Sequence, residues 1–161
     1  ALVLEYQDDL SVRGIDDQYL FAGSLLVCPV FGGDTRRSVY LPEGTWFDFH
    51  TGDILQGGRR LSVETPLERI PLYVRDDTIL FLCDERAFTP KGEADWGRIR
   101  ARIYTTRERG TLSRRLYQSR DRFREIRVEI DGGVCRCDDP GVECERAAGW
   151  PWGEDRHGSG G

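Results

Sequence analysis

Four segments decide the fold: Ile15-Asp-Asp-Gln-Tyr-Leu-Phe21, Ser24-Leu-Leu-Val-Cys-Pro-Val30, Tyr40-Leu-Pro-Glu-Gly-Thr-Trp-Phe-Asp48 and Ile70-Pro-Leu-Tyr-Val-Arg75. Each is a short apolar or aromatic run bounded by Gly, Pro or Asp. Such runs recur at intervals of roughly ten residues, the spacing of β-sandwiches and barrels. Ser38–Leu41 reads as a strand, Pro42-Glu-Gly44 as a turn, and Thr45–Phe49 as an aromatic strand. Thr51-Gly-Asp53 turns again. Gly57-Gly58 precedes Arg60-Leu-Ser-Val-Glu64, whose period of two predicts a strand with one buried face. Leu72–Val74 and Thr78–Leu82 follow, separated by a turn at Arg75-Asp-Asp77.

Outward from this centre, Leu2-Val-Leu4 reads as a short strand ended by Asp8 and Asp9, and Gly14 to Asp17 as a loop. Tyr19 to Phe31 is apolar with a break at Gly23, and Gly32-Gly-Asp34 is a turn. After Cys83 the character changes. Ala87 to Gly97 looks like a linker, with Pro90 and Gly92. Arg98-Ile-Arg-Ala-Arg-Ile-Tyr104 and Ile126-Arg-Val-Glu-Ile130 alternate as strands of a second small β domain. Arg115 to Arg127 reads as a polar helix or loop. From Gly132 to Gly161 no period is visible, and the expectation is a loose tail.

The 161 residues are 39% hydrophobic and 32% charged, a globular composition, and no apolar run approaches the roughly 20 residues of a membrane helix. No membrane partner is expected. The start, Ala1-Leu-Val-Leu-Glu5, has neither an initiator Met nor a basic leader, so the chain is expected to be the interior of a longer protein. Charge is uneven. Residues 98–127 hold 11 basic and 3 acidic groups between two acidic segments. Clustered Arg is the footprint of phosphate binding. Here Arg98, Arg100 and Arg102 alternate with Ile99, Ala101 and Ile103, which describes one solvated strand face. Nucleic acid is not expected as a partner.

Five cysteines are present. Cys28 and Cys83 lie in apolar runs, where Cys acts as a small buried hydrophobe. Cys135, Cys137 and Cys144, with His157, lack the paired spacing of a zinc site, so no metal is expected. The acidic neighbours Asp8/Asp9, Asp16/Asp17, Asp76/Asp77 and Asp138/Asp139 point to opposite faces in an extended chain. Turns and strand ends explain them without catalysis. His50 has no Ser or Cys partner by motif. Trp46, Phe47 and Phe49 suggest a sugar platform. In a strand, however, Trp46 takes one face and the two Phe the other, so part of the group is core.

Read together and in order, the four segments resemble glycoside hydrolase family 31, which contains α-glucosidases and α-xylosidases. Ala1-Leu-Val-Leu-Glu-Tyr6 looks like the remainder of the family's eighth barrel strand. Asp17 to Val30 resembles its Asp-Gln-Tyr-Leu-Phe-Gly-Asp-Ser-Leu-Leu-Val-Ala-Pro-Val segment, with Ala22-Gly23 in place of Gly-Asp and Cys28 in place of Ala. Tyr40 to Trp46 resembles the opening of the proximal sandwich, and Ile70 to Arg75 its close. The resemblance is good over residues 1–83, weak over 84–130 and absent beyond.

It implies a mainly β chain. Residues 1–20 would be the last strand and exit of a (β/α)8 barrel, 21–83 a proximal antiparallel sandwich and 84–131 a partial distal β domain. Residues 132–161 would be tail. The family's reaction is retaining hydrolysis by two carboxyl groups roughly 5–5.5 Å apart. Its nucleophile lies in a Trp-x-Asp-Met-x-Glu-type motif that this sequence lacks. No catalytic, substrate-binding or metal residue carries over, no cofactor is implied, and the carbohydrate substrate would be held by the barrel. Asp16 and Asp17 would brace the barrel–sandwich junction. The rival expectation is a non-catalytic carbohydrate-binding sandwich anchored on Trp46. The sequence leaves compartment and oligomeric state open.

Overall fold

The computed structural model describes residues 1–32, 36–64, 66, 69–83, 99–119 and 121–147. The expected linker at 87–97, Arg98, Gly33, Asp34 and the tail from 148 on, with His157, lie outside them. The chain is mainly β and divides into two compact units, Ala1–Asp76 and Asp77 onward.

In the first unit the expected runs, with a further one at Ile54–Gln56, are strands: β1 (Tyr19–Phe21), β2 (Leu25–Val27), β3 (Arg36–Leu41), β4 (Thr45–Asp48), β5 (Ile54–Gln56), β6 (Arg59–Glu64) and β7 (Leu72–Arg75). Five form an antiparallel sheet in the order β1-β2-β7-β4-β5, and β3 pairs with β6. Side chains from both sheets meet in one cluster. Leu26 of β2, Val39 and Leu41 of β3, Trp46 of β4 and Tyr73 of β7 all join it. The alternation of strand side chains thus buries one face of each sheet in a shared core.

Two details fix β3. Gln18 is buried, and both ends of its amide bond to Tyr40: Nε2 donates to the Tyr40 carbonyl at 2.9 Å, and the Tyr40 N–H donates to Oε1 at 2.9 Å. The side chain does for one residue what a neighbouring strand would do. Beside it, Arg37 Nη2 meets Asp17 Oδ2 at 2.6 Å with the Arg side chain only 10% exposed. The Asp-Gln pair at 17–18 therefore ties the chain before β1 onto β3.

The strand expected at Leu2–Leu4 is instead a short 3-10 turn. Among the described residues no strand lies alongside it, so its backbone bonds itself. Leu4 N–H donates to Ala1 O, and Glu5 and Tyr6 N–H to Leu2 O. Leu2 is fully buried while Leu4 is 71% exposed.

The second unit contains β8 (Thr78–Cys83), β9 (Ile99–Tyr104), β10 (Arg109–Ser119), β11 (Arg122–Asp131), β12 (Val134–Cys137) and β13 (Val142–Arg146). One sheet has the order β13-β9-β8, with β13 parallel to β9; the other has the order β10-β11-β12. Ile79, Ile99, Ile103, Leu112, Ile126 and Val128 share its core. Three sequence expectations are corrected. The unit boundary falls at Asp76 rather than Cys83, because β8 pairs along its whole length with β9. Arg115–Arg127 is neither helix nor loop but most of a long hairpin. Residues 134–146 are not loose: Val134–Cys137 and Val142–Arg146 are paired strands. Gly132 and Gly133, at φ 55° and 96°, form the two-residue turn between β11 and β12, a conformation that disfavours other residues. Cys137 and Cys144 form a disulfide that joins β12 to β13.

Asp77 opens the second unit in a left-handed conformation, φ 58°. Its carboxylate takes Nε and Nη2 of Arg107 at 2.6–2.8 Å and the Thr105 hydroxyl at 2.7 Å. Partial burial pushes the Asp77 carboxyl up. The hydrogen bonds from Arg107 and Thr105 outweigh it, leaving the group below its ordinary value of 3.8. A depressed acid contributes stability that is present above its unfolded pKa and is lost as pH falls through the folded value. The unfolding midpoint of the second unit is therefore expected to drop on acidification below about pH 4. In Asp77→Asn the midpoint should be lower at neutral pH, and this acid-linked part of the drop should vanish. Thermal melts from pH 6 to pH 2 check it; parallel curves for the two proteins would contradict it.

Candidate functional site

A cleft in the first unit, about 840 Å³, is built from the segment Glu5–Ser11, the turn after β3, and Gly57-Gly58. Leu2 and Val12 are the anchors. Both are fully buried, so the 3-10 turns Leu2–Leu4 and Leu10–Val12 are pinned to the core and the segment between them is held over Tyr40. The lining is acidic, with Glu5, Asp8, Asp9 and Glu43.

Asp9 is fully engaged. Its Oδ1 accepts the Ser11 N–H at 2.8 Å, capping the second turn, and its Oδ2 accepts the Tyr40 hydroxyl at 2.6 Å. The Tyr40 bond and the Ser11 amide hold the Asp9 carboxyl below its ordinary range. Burial and the same bond push the Tyr40 hydroxyl up. Arg60 stacks over the Tyr40 ring at 5.7 Å, and Arg75 over Tyr6 at 5.6 Å. This arrangement holds structure. A general acid working near neutrality needs a raised carboxyl pKa, and Asp9 moves the other way. Among the described residues there is no group of three or more His, Cys, Asp or Glu that could hold a metal.

Five of the eight acidic neighbours serve as turn and pairing groups. Asp9 caps, Asp17 pairs with Arg37, and Asp77 pairs with Arg107. Asp138 Oδ1 accepts the Arg127 N–H, while Asp139 accepts the Gly141 N–H and pairs with Arg124 at 2.8 Å. Asp48 closes a turn by accepting the N–H groups of His50 and Thr51. His50 Nε2 lies 2.9 Å from the Ile70 carbonyl.

The aromatic platform that the rival reading places at Trp46 is not there. Trp46 and Phe47 are each 1% exposed, and the indole N–H donates to the Pro42 carbonyl at 2.8 Å. As the strand period requires, they are buried on opposite faces of β4; with its ring faces in the core, Trp46 has none for a sugar. This corrects the expected anchor of the rival reading. Cys28 is buried, and burial pushes its thiol up to about 12, which makes it inert. Of the C-terminal cysteines, Cys137 and Cys144 are bonded to each other and Cys135 is free. Sequence reasoning missed that pairing, because seven residues of separation give no signal until β12 and β13 are recognised as neighbours. Several arginines of the block face carboxylates: Arg100 and Arg102 face Glu145, Arg107 faces Asp77, Arg109 faces Asp131, and Arg124 faces Asp139.

The geometry defines a β-rich chain in which Asp9, Asp17, Gln18 and Asp77 hold its own turns and strands. Comparison with known proteins gives the class. The family model described as the glycosyl hydrolase family 31 C-terminal domain matches residues 1–80. An isomaltosyltransferase of Sporosarcina globispora is 41% identical over 81 residues, covering 50% of this chain and 7% of that protein. An α-xylosidase of Saccharolobus solfataricus is 37% identical over 105 residues, covering 64% of this chain and 14% of its own length.

Among solved structures, the α-xylosidase of Xanthomonas citri aligns with TM-score 0.65 at 27% identity, over 91% of this chain and 18% of that one. A Flavobacterium johnsoniae dextranase complexed with glucose aligns with TM-score 0.64 at 26% identity, over 83% and 17%. Through its residues 1–80 this chain belongs to glycoside hydrolase family 31, in the C-terminal domain of that family. It spans 7–14% of the length of the two curated relatives named.

Proposed function

We propose that this chain is the C-terminal β region of a retaining α-glycosidase acting on α-glucosides or α-xylosides, and that its own part in the enzyme is structural. Residues 1–20 would complete the exit of the catalytic barrel, the rest of the first unit would be the proximal sandwich, and the second unit the distal β domain. The observation that carries this is the order of motifs over residues 1–80, combined with an acidic cleft in which Asp9 is locked by Tyr40 and Ser11. A retaining pair needs one carboxylate free to attack and one acid ready to donate, roughly 5–5.5 Å apart. Leu4, Leu10, Tyr19 and Phe21 are large apolar side chains exposed on the first unit. They supply the apolar surface that a barrel would cover.

The substrate would be held by residues of the barrel, with no metal or organic cofactor from this region, and nucleic acid is not a partner in this reading. The test is turnover. The purified chain is expected to fold and yet release no glucose, xylose or nitrophenol from α-glucosides and α-xylosides above a heat-denatured control. Turnover that Asp9→Asn abolishes would overturn the reading.

A further inference from the structure

The solvent face of the β10–β11 hairpin is unlike the rest of the second unit. Leu112 and Leu116 of β10, with Ile126, Val128 and Ile130 of β11, turn inward. The residues between them face outward in register, ending in the cross-strand pair Tyr117 and Phe123. These two rings are 52% and 49% exposed, with centroids 5.6 Å apart and tilted by 48°. The Arg115 guanidinium lies 4.7 Å from the Phe123 ring centre. One pair further along, Glu125 bonds Ser113 and Arg127 at 3.5 Å.

We propose that this face binds a neutral glucan, stacking pyranose rings on Tyr117 and Phe123 with Arg115 and Glu125 hydrogen-bonding ring hydroxyls. Three points carry it. Large exposed aromatics beside each other are uncommon on a surface without a partner. A pyranose offers an apolar C–H face and a rim of hydroxyls, which suits flat rings flanked by planar donors and acceptors. The face is also charge-balanced: Arg109 and Arg115 stand in register against Asp131 and Glu125, and Arg127 is matched by Glu129 two residues along the same strand. A polyanion would want a net positive face, and a basic protein patch a negative one. A neutral polyol fits a balanced one. The choice of glucan as ligand rests on the α-glycosidase reading above; such a face would hold polymeric substrate near the enzyme without doing chemistry.

Affinity electrophoresis of the full chain in native gels with and without dextran tests it, soluble starch and xyloglucan serving as further probes. Dextran is expected to retard the wild-type chain. Tyr117→Ala and Phe123→Ala are expected to weaken retention about tenfold, the scale of a dominant contact residue. Phe123→Leu, which keeps the apolar volume and loses the flat ring, should behave like Phe123→Ala. Because both rings are half-exposed, unfolding midpoints should stay near wild type, and if one variant fails to fold the other reads the same face. An unretarded wild-type chain in all three gels overturns the proposal, as does equal retention of the variants. A concentration-dependent dimer in sedimentation that Phe123→Ala abolishes also overturns it, marking the face as a contact between copies. None of these failures touches the α-glycosidase reading, which is decided by turnover and by the size of the native polypeptide.

Discussion

Trp46→Ala is expected to destabilise the first unit by about 3–5 kcal/mol. That is a large fraction of the roughly 5–15 kcal/mol that keeps an ordinary domain folded. Trp46 is the largest fully buried side chain among the described residues. It lies at the junction of the two sheets, with its indole N–H spent on the Pro42 carbonyl. Removing it opens a cavity in the cluster shared by Leu26, Val39, Leu41 and Tyr73, and also strips a buried carbonyl of its donor. Amide hydrogen exchange reads the effect without assuming that the two units unfold together. Protection should collapse in β2, β4 and β7 and stay near wild type in β9 to β11. Trp46→Phe should cost less, since most of the ring volume remains. Unchanged protection in Trp46→Ala would put the indole on the surface and reopen the sugar-platform reading.

Gly57→Ala is expected to be nearly as damaging, although the change is one methyl group. A Cβ at Gly57 would stand 1.8 Å from the Pro42 carbonyl oxygen and 2.9 Å from the Trp46 indole nitrogen. The oxygen is backbone, so no side chain can swing aside. The Gly57 N–H also bonds the Gly44 carbonyl at 2.7 Å, and the Gly58 N–H bonds the Leu41 carbonyl at 2.8 Å. To admit the methyl, the β3–β4 turn must retreat from this segment, which breaks those bonds and the Trp46 contact together. Overpacking a tight site costs about 1–3 kcal/mol and occasionally more, and a backbone clash belongs at the upper end. Gly58→Ala offers a contrast. It has open space for a Cβ but a φ of +73°, so its cost is conformational strain alone, about 1–2 kcal/mol. Urea unfolding of the two variants side by side checks the order. A Gly57→Ala midpoint at or above that of Gly58→Ala would contradict it. Because Trp46 and Gly57 share the Pro42 carbonyl, their costs should not add in the double variant.

Much of the first unit was legible from residues 15–75, because turn chemistry and a period of two punctuate it regularly. What the pattern could not supply was Gln18. One buried amide answering one strand residue leaves no periodic trace. Leu2–Leu4 misled because three apolar residues satisfy strand and 3-10 turn alike, and only a neighbouring strand would decide between them. In the second unit Arg114 and Arg124 occupy half-buried positions at the far end of the hairpin. They interrupt the apolar rhythm that Leu112 and Ile126 begin. In β12 and β13 the inward positions are filled largely by Cys135, Cys137 and Cys144. Taken as a chance cluster in a loose tail rather than as small hydrophobes, they hid two strands. Trp46 carried both readings in the sequence, platform and core, and burial chose core. The exposed pair Tyr117 and Phe123 gave no signal, because the rings become neighbours only once the hairpin register is known.

The central claim is that these residues are the closing β region of a larger α-glycosidase. The most direct test is the mass of the native polypeptide that carries them, read by peptide mapping or immunoblot from its source. The account predicts a product several times larger than 18.4 kDa, with a Trp-x-Asp-Met-x-Glu segment upstream of Ala1. A native polypeptide of 18.4 kDa, with nothing in frame before it, would contradict the account.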